Sequence, residues 1–313
     1  ITQTHNDHAH GVRSASLLDT GKNAGSQDSK IRGWSNLVWR SFNNTAEQYE
    51  WNGDLYQLTA GSDYRFNDHF VAGLALRYAF MDAQTHFNEG SEKSHGFGAT
   101  PYAMIQFNKN FAIEGVFGYT HIERDNKRKN VQEQYNSATG IRTPAPMNDI
   151  NGKIKSDRII AGIFARVAHH IINKTSFSYK IGYIYAKEKG KAFKENGVGG
   201  ASYTANDLQN ELQTLANELS FVYHANQHFA PYLNITYAYD VKSLKPYNFK
   251  KPVITGTQLF LAKEQKTDRN TYGAGIGFKV KINECSNIEA GYDYEKKGTL
   301  KAQTVNVKLV HKF

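Results

Sequence analysis

Apolar residues recur at every second position along most of the chain. Tyr56, Leu58, Ala60 and Tyr64 share one face, while Gln57, Thr59, Gly61, Asp63 and Arg65 share the other. Next, Phe70, Ala72, Leu74, Leu76, Tyr78 and Phe80 oppose Val71, Gly73, Ala75, Arg77 and Ala79. A strand sends successive side chains to opposite faces, so a period of two predicts strands rather than helices. The same period runs through Phe111–Thr120, Arg158–Val167, Phe177–Tyr185, Leu215–Tyr223, Leu233–Asp240, Tyr272–Ile282 and Ile288–Glu295. In the closing segment, Val305, Val307, Leu309, His311 and Phe313 oppose Asn306, Lys308, Val310 and Lys312. With less regular segments near Gly33–Phe42 and Phe97–Phe107, the pattern predicts about twelve strands. Trp34, Leu37, Val38 and Trp39 do not alternate neatly, and Pro101 interrupts the fourth strand.

The connections differ in length by turns. Short ones fall near Asn67, Lys109, Asn173, Asn226 and Glu284, after the even strands. Long polar ones, clearest at Glu123–Lys153, Lys187–Asp207 and Asp240–Asn270, follow odd strands. Barrels of the bacterial outer membrane keep periplasmic turns short and outer loops long, with an even strand number. On that reading the first strand rises from the periplasm and the last returns to it, whereas a soluble sandwich gives no reason for the alternation.

The chain is 40% hydrophobic and 13% aromatic, with 19 Tyr, 18 Phe and only 6 Pro. The longest apolar run, Ile159–Ala165, falls far short of the ~20 residues of a membrane helix, but a barrel strand needs only ~9–11 with every second one apolar. The faces opposite the apolar ones carry Asp63, Arg65, Arg77, Glu114, Arg158, Arg166, Lys180, Glu218, Lys279, Glu289 and Lys308. In a dry core these charges would be costly; lining a wet lumen they are expected. The fold class is therefore an all-β, transmembrane, antiparallel up-and-down barrel over residues 31–313. Residues 1–30 read as an N-terminal tail or linker ahead of the first strand. The net charge of +9 fits anionic lipid or a charged pore wall, since no nucleic-acid motif accompanies it. Cys285 is the single cysteine, so no internal disulfide forms. The chain starts at Ile1, and a barrel must be exported, so a signal is expected upstream.

Several segments resemble the β-domain of type V autotransporters: GWSNLVWRSF as the opening strand, LTAGSDYRFNDHFVAGLALRYAF as the second hairpin, then GFGATPYA, EGVFGYTHIERD, AGIGFKVKINECSNIEAGYDYEKKG and the closing KLVHKF. The resemblance covers about residues 31–313 and implies that residues 1–30 form a linker in or near the lumen. It implies a monomeric outer-membrane domain that anchors and exports its own N-terminal passenger through or alongside a polar lumen. It also implies that the barrel-assembly machinery reads Val305, Val307, Leu309, His311 and Phe313. His311 stands where such strands usually place Tyr or another apolar residue.

No residue set calls for catalysis, a metal or a cofactor. His5, Asp7, His8 and His10 have a spacing that could hold Zn²⁺ or Ni²⁺, but they sit at an end that reads as a solvated tail. Some family members cut their own tether with lumenal acids and an Asn; Asn23, Asp63, Glu114 and Glu218 are the candidates, and no Asn-Asn pair precedes the first strand. The basic runs Arg124–Lys129, Lys187–Lys194 and Lys242–Lys251 fall in expected outer loops, where they could meet lipopolysaccharide phosphates or simply be solvated. Two rivals remain: a stand-alone diffusion pore, and a barrel enzyme of phospholipase or protease type. For the enzyme no fitting His–Ser or paired-acid run is found, and His169-His170 fall at the expected periplasmic end.

Overall fold

In the computed structural model the described residues are 30–46, 50–86, 89–130, 133–135, 142–144, 148–172, 174–191, 193–197, 202–205, 208–242 and 268–313. The strands are β1 (Ile31–Asn44), β2 (Trp51–Arg65), β3 (Phe70–Thr85), β4 (Gly90–Gln106), β5 (Phe111–Asn130), β6 (Glu133–Tyr135), β7 (Arg142–Pro144) and β8 (Asn148–Ile172). After these come β9 (Thr175–Gly190), β10 (Phe193–Gly197), β11 (Ser202–Ala205), β12 (Leu208–Tyr223), β13 (Phe229–Lys242), β14 (Asn270–Lys281), β15 (Ser286–Lys297) and β16 (Leu300–Lys312). Twelve of them, β1–β5, β8, β9 and β12–β16, pair antiparallel in chain order. The ring closes where β1 pairs with β16, from Arg32↔Lys312 to Asn44↔Leu300. Closure leaves no unpaired edge in the twelve-strand ring, the condition for a sheet to sit in lipid.

Burial along the strands is inverted relative to a water-soluble protein. Ile276 is 62% exposed, Leu37 58% and Leu309 43%, while Lys308 is 5% and Asp240 0% exposed. The apolar face thus points out and the charged face in. The outward face carries two aromatic rims. Toward the short turns it is Phe-rich, with ring pairs Phe66–Phe70, Phe107–Phe111, Phe177–Phe221 and Phe229–Phe278 at 5.2–6.0 Å. Toward the long loops it is Tyr-rich, and hydroxyls reach polar partners just beyond: Tyr119 to Asp157 (2.6 Å), Tyr183 to Gln213 (2.8 Å) and Tyr237 to Asn270 (2.9 Å). From Phe70 to Phe80 on tilted β3 the apolar band is about 25 Å tall, the height of an outer-membrane hydrocarbon layer.

Four of the short turns share one device. The Asn67, Asn108, Asn226 and Asn283 side chains each accept from the backbone N–H two residues on, at 2.8–2.9 Å. This Asx turn folds the chain back without using the strand ladder.

Three expectations are corrected or refined. First, the loops expected at Glu123–Lys153 and from Lys187 are partly strand: β5 runs to Asn130, β8 starts at Asn148 and β9 continues to Gly190. Beyond the lipid both faces are polar, so the apolar period ends before the strand does. The basic run Arg124–Lys129 therefore lies on β5, with Arg124 buried, and Lys187–Lys194 spans β9 and β10. Past Lys242 the third basic run lies outside the described residues, as do residues 1–29. Second, the irregular β1 is explained by an interior that accepts apolar groups. Trp34 and Val38 are buried inside, Leu37 and Trp39 face out, and Trp34 packs with Ala75, Tyr102 and Val310. Third, Pro101 stays in β4 opposite Leu74, and the ladder to β5 skips Thr100 and Pro101 where the imide nitrogen has no hydrogen to donate.

Candidate functional site

The interior wall is built by parity: every second residue of each strand points to the axis, and many of those are charged. Near the short turns, Arg32 grips Asp63 with two bonds (Nε–Oδ1 2.9 Å, Nη2–Oδ2 2.5 Å), and Lys279 faces Glu289 at 3.3 Å. At mid-height Lys180 on β9 reaches across β8 to Glu114 on β5 at 2.8 Å. That reach is possible because Gly182 has no side chain. The Phe164 ring lies flat there, so a Cβ on Gly182 would sit 2.0 Å from its Cδ1. The Lys180 ammonium stands 4.7 Å from the same ring's centre.

Toward the long loops, Glu188 is held between Arg124 (2.7 Å) and Arg158 (2.5 Å) and also accepts from Ser156 (2.8 Å). Glu92 lies 3.6 Å from Arg124. On the opposite wall Asp240 takes Lys297 at 2.6 Å and Thr214 at 2.9 Å, and Arg40 bonds Glu295. Arg77 is buried close to Arg158, and its Nε makes no hydrogen bond. A small interior space of about 60 Å³ is lined by Lys180, Glu218, Thr236, Asp293, Glu295 and Asn306 among others.

Of the residues singled out in the sequence, Asp63, Arg77, Glu114, Arg158, Lys180, Glu218, Glu289 and Lys308 are buried, while Arg65, Arg166 and Lys279 are half-buried. The Lys308 ammonium lies 5.3 Å from the Trp34 ring centre. The fold pairs Glu114 with Lys180, and Lys279 with Glu289; it gives Asp63 to Arg32 and Arg158 to Glu188 instead of to one another. Arg124, Glu188 and Lys297, the partners that complete the groups around Arg158 and Asp240, escape the sequence reading, because the apolar period ends before their strands do. The signal that could find them is in KSDR and KEKG, where charge alternates at period two.

Val305, Val307 and Leu309 are exposed on the outer surface. His311 bonds the Ser286 hydroxyl at 2.9 Å and stacks edge-on with Phe313 at 4.8 Å. Phe313 is 75% exposed; its N–H donates to the Ile31 carbonyl, and its ring covers Gly33, where a Cβ would lie 3.0 Å away. Above the Tyr rim the outer face is polar. Lys155 bonds Glu123 (2.5 Å) and holds its carboxyl below the usual range. Tyr119 and His121 do the same to Asp157. Cys285 is exposed in a short turn. Asn23 and the His5–His10 cluster lie outside the described residues; among the described ones no group of three His, Cys, Asp or Glu is placed to hold a metal ion.

The family model described as "Autotransporter beta-domain" matches residues 33–293. The translocator domain of autotransporter NalP from Neisseria meningitidis superposes with a TM-score of 0.79 at 14% identity, covering 99% of this chain and 98% of that one. The β-domain of the Bordetella autotransporter BrkA gives 0.63 at 14% identity, covering 91% and 100%. The transport unit of AIDA-I from Escherichia coli gives 0.61 at 13%, covering 100% and 98%. No curated protein sequence matches the chain.

Proposed function

The chain belongs to the autotransporter β-domain family, an integral barrel of the outer membrane with a translocator role, and on that premise we propose that it exports an N-terminal passenger through its own charged interior. The observation that carries the reading is the inverted barrel itself, lipid-facing outside and lined by paired charges inside. Where the wall charges are paired, as in Glu114–Lys180, Arg158–Glu188 and Asp240–Lys297, they present a polar surface with little left over to bind a passing chain tightly.

On this reading residues 1–30 are the linker and 31–313 the anchor. β1 begins beside Phe313, at the short-turn end. That end, with both strand termini, is periplasmic, and the linker runs from it toward the long loops. The exposed row Val305, Val307, Leu309, His311 and Phe313 is what the assembly machinery recognises. The barrel works as a monomer in contact with outer-membrane lipid and lipopolysaccharide, and the domain performs no catalysis.

The test fuses a signal peptide and a folded reporter upstream of Ile1. Export predicts that protease added to intact cells removes the reporter. A reporter that stays protected, together with steady conductance of the purified chain in planar bilayers, would replace this reading with a diffusion pore.

A further inference from the structure

The outer surface above the Tyr rim is uneven around the barrel. Along β9 the outward residues run Phe177, Tyr179, Ile181, Tyr183, Tyr185 and then Lys187 and Lys189; Lys191 follows just past the strand end. The segment KEKGK looks charge-mixed in sequence, but the pleat turns Glu188 inward, where Arg124 and Arg158 neutralise it. Three lysines are left in a column at the height where the apolar band ends. Neighbouring β8 adds Lys153 and Lys155, whose side chains are 86% and 65% exposed.

The acids of this sector are already engaged. Glu123 takes Lys155, Asp125 takes Lys153, and Asp157 takes Tyr119 and His121. No ion pair involves Lys187, Lys189 or Lys191 among the described residues; Lys191 and Lys187 act on Asp157 and Glu211 only through space. At the same height on β12 and β13, Glu211 and Lys242 neutralise each other at 2.7 Å.

We propose that the β8–β9 exterior above the Tyr rim docks a phosphorylated glycolipid of the outer leaflet, with Lys187, Lys189 and Lys191 meeting its phosphates. This rests on the proposed orientation, which places the long-loop end in the outer leaflet. The charge sign selects an anionic group, and the exposure of Lys189 and Lys191, with Lys187 half-buried at the foot of the column, leaves room for it. The position directly above an aromatic rim puts the ammonium groups at head-group depth, with their stems free to lie along the apolar surface. A soluble polyanion would use the lysines but gain nothing from the apolar band below them.

The test uses the full chain in phosphatidylcholine nanodiscs, titrated with diphosphoryl lipid A. Three forms are compared: the unaltered protein, Lys187→Gln/Lys189→Gln/Lys191→Gln, and Lys296→Gln/Lys301→Gln, which removes the outward cross-strand lysine pair of β15 and β16. The expected result is saturable binding that weakens with NaCl, falls about tenfold or more in the triple variant and stays within about twofold in the control. Equal binding by all three forms, or equal losses in both variants, overturns the docking site while leaving the orientation intact. Inorganic pyrophosphate that competes as well as lipid A at equal phosphate shows a phosphate-only site and overturns the lipid assignment. If vesicle-inserted protein exposes the long loops and the short turns to protease at random, the orientation falls and takes this proposal with it.

Discussion

The Glu114–Lys180 pair decides whether the wall at mid-height is dry or wet. Both side chains are 6% exposed, and the pair spans an intervening strand at 2.8 Å. Glu114→Gln leaves the ammonium with Phe164's ring face and Glu218, its cross-strand neighbour on the inner face, whereas Lys180→Met leaves the Glu114 carboxylate without its cation. Losing one member of a buried pair costs about 3–5 kcal/mol. Because the ring supports the cation, Glu114→Gln is expected near the lower figure, about 3 kcal/mol, and Lys180→Met near the upper, about 5 kcal/mol. The double variant removes both charges and is expected to cost no more than the milder single change, which on these figures is a coupling energy of about 5 kcal/mol or more. Reversible urea unfolding from lipid vesicles, followed by the fluorescence of Trp34, Trp39 and Trp51, measures all four forms. Single variants within about 0.5 kcal/mol of the unaltered protein, or strictly additive losses, would refute the argument and show that water exchanges freely around the pair.

Other outcomes follow from the same geometry. Gly182→Ala drives a Cβ into the Phe164 ring and should cost about 1–3 kcal/mol in the same unfolding assay, with the penalty disappearing in a Phe164→Ala background. Phe313→Ala should barely move the unfolding midpoint, since the ring is mostly exposed, yet should sharply lower the yield of heat-modifiable barrel in cells; an unchanged yield removes Phe313 from the assembly signal. The lowered pKa of Asp157 means that its stabilisation is present above the unfolded carboxyl pKa, near 4, and is lost as pH falls through the folded value. The midpoint gap between Asp157→Asn and the unaltered protein should therefore hold above about pH 5 and close in stronger acid.

Within the lipid band the strands could be read from sequence because one face must be apolar and the other need not be. Phe70 through Phe80 alternate cleanly for that reason. Past Tyr119 the rule lapses: His121, Glu123 and Asp125 face water, and the interior takes Ile122 as well as Arg124 and Asn126, so the outward face is no longer apolar and the period disappears. Charged interior positions such as Glu114 and Lys180 were visible singly. Their pairing was not, because it depends on which strands adjoin and on a glycine that opens the path between them. Trp34 misled in the opposite direction, since an interior pocket lined by Ala75, Tyr102 and Val310 accepts an indole that a simple polar-inside rule would turn outward.

The seam between β1 and β16 sets the order in which the molecule can be made. At its long-loop end Thr299 bonds Asn44 across a separation of 255 residues. Bringing together segments that far apart costs about 5 kcal/mol of chain entropy before any ladder bond repays it. A sheet inserted in lipid with the seam open would also expose two full rows of unpaired backbone groups to hydrocarbon. Insertion and closure must therefore be one event, late and slow, as expected for so high a contact order. The strand made last is the one the whole structure waits for, so loss of its few final residues should leave nearly the entire chain synthesised and none of it sealed.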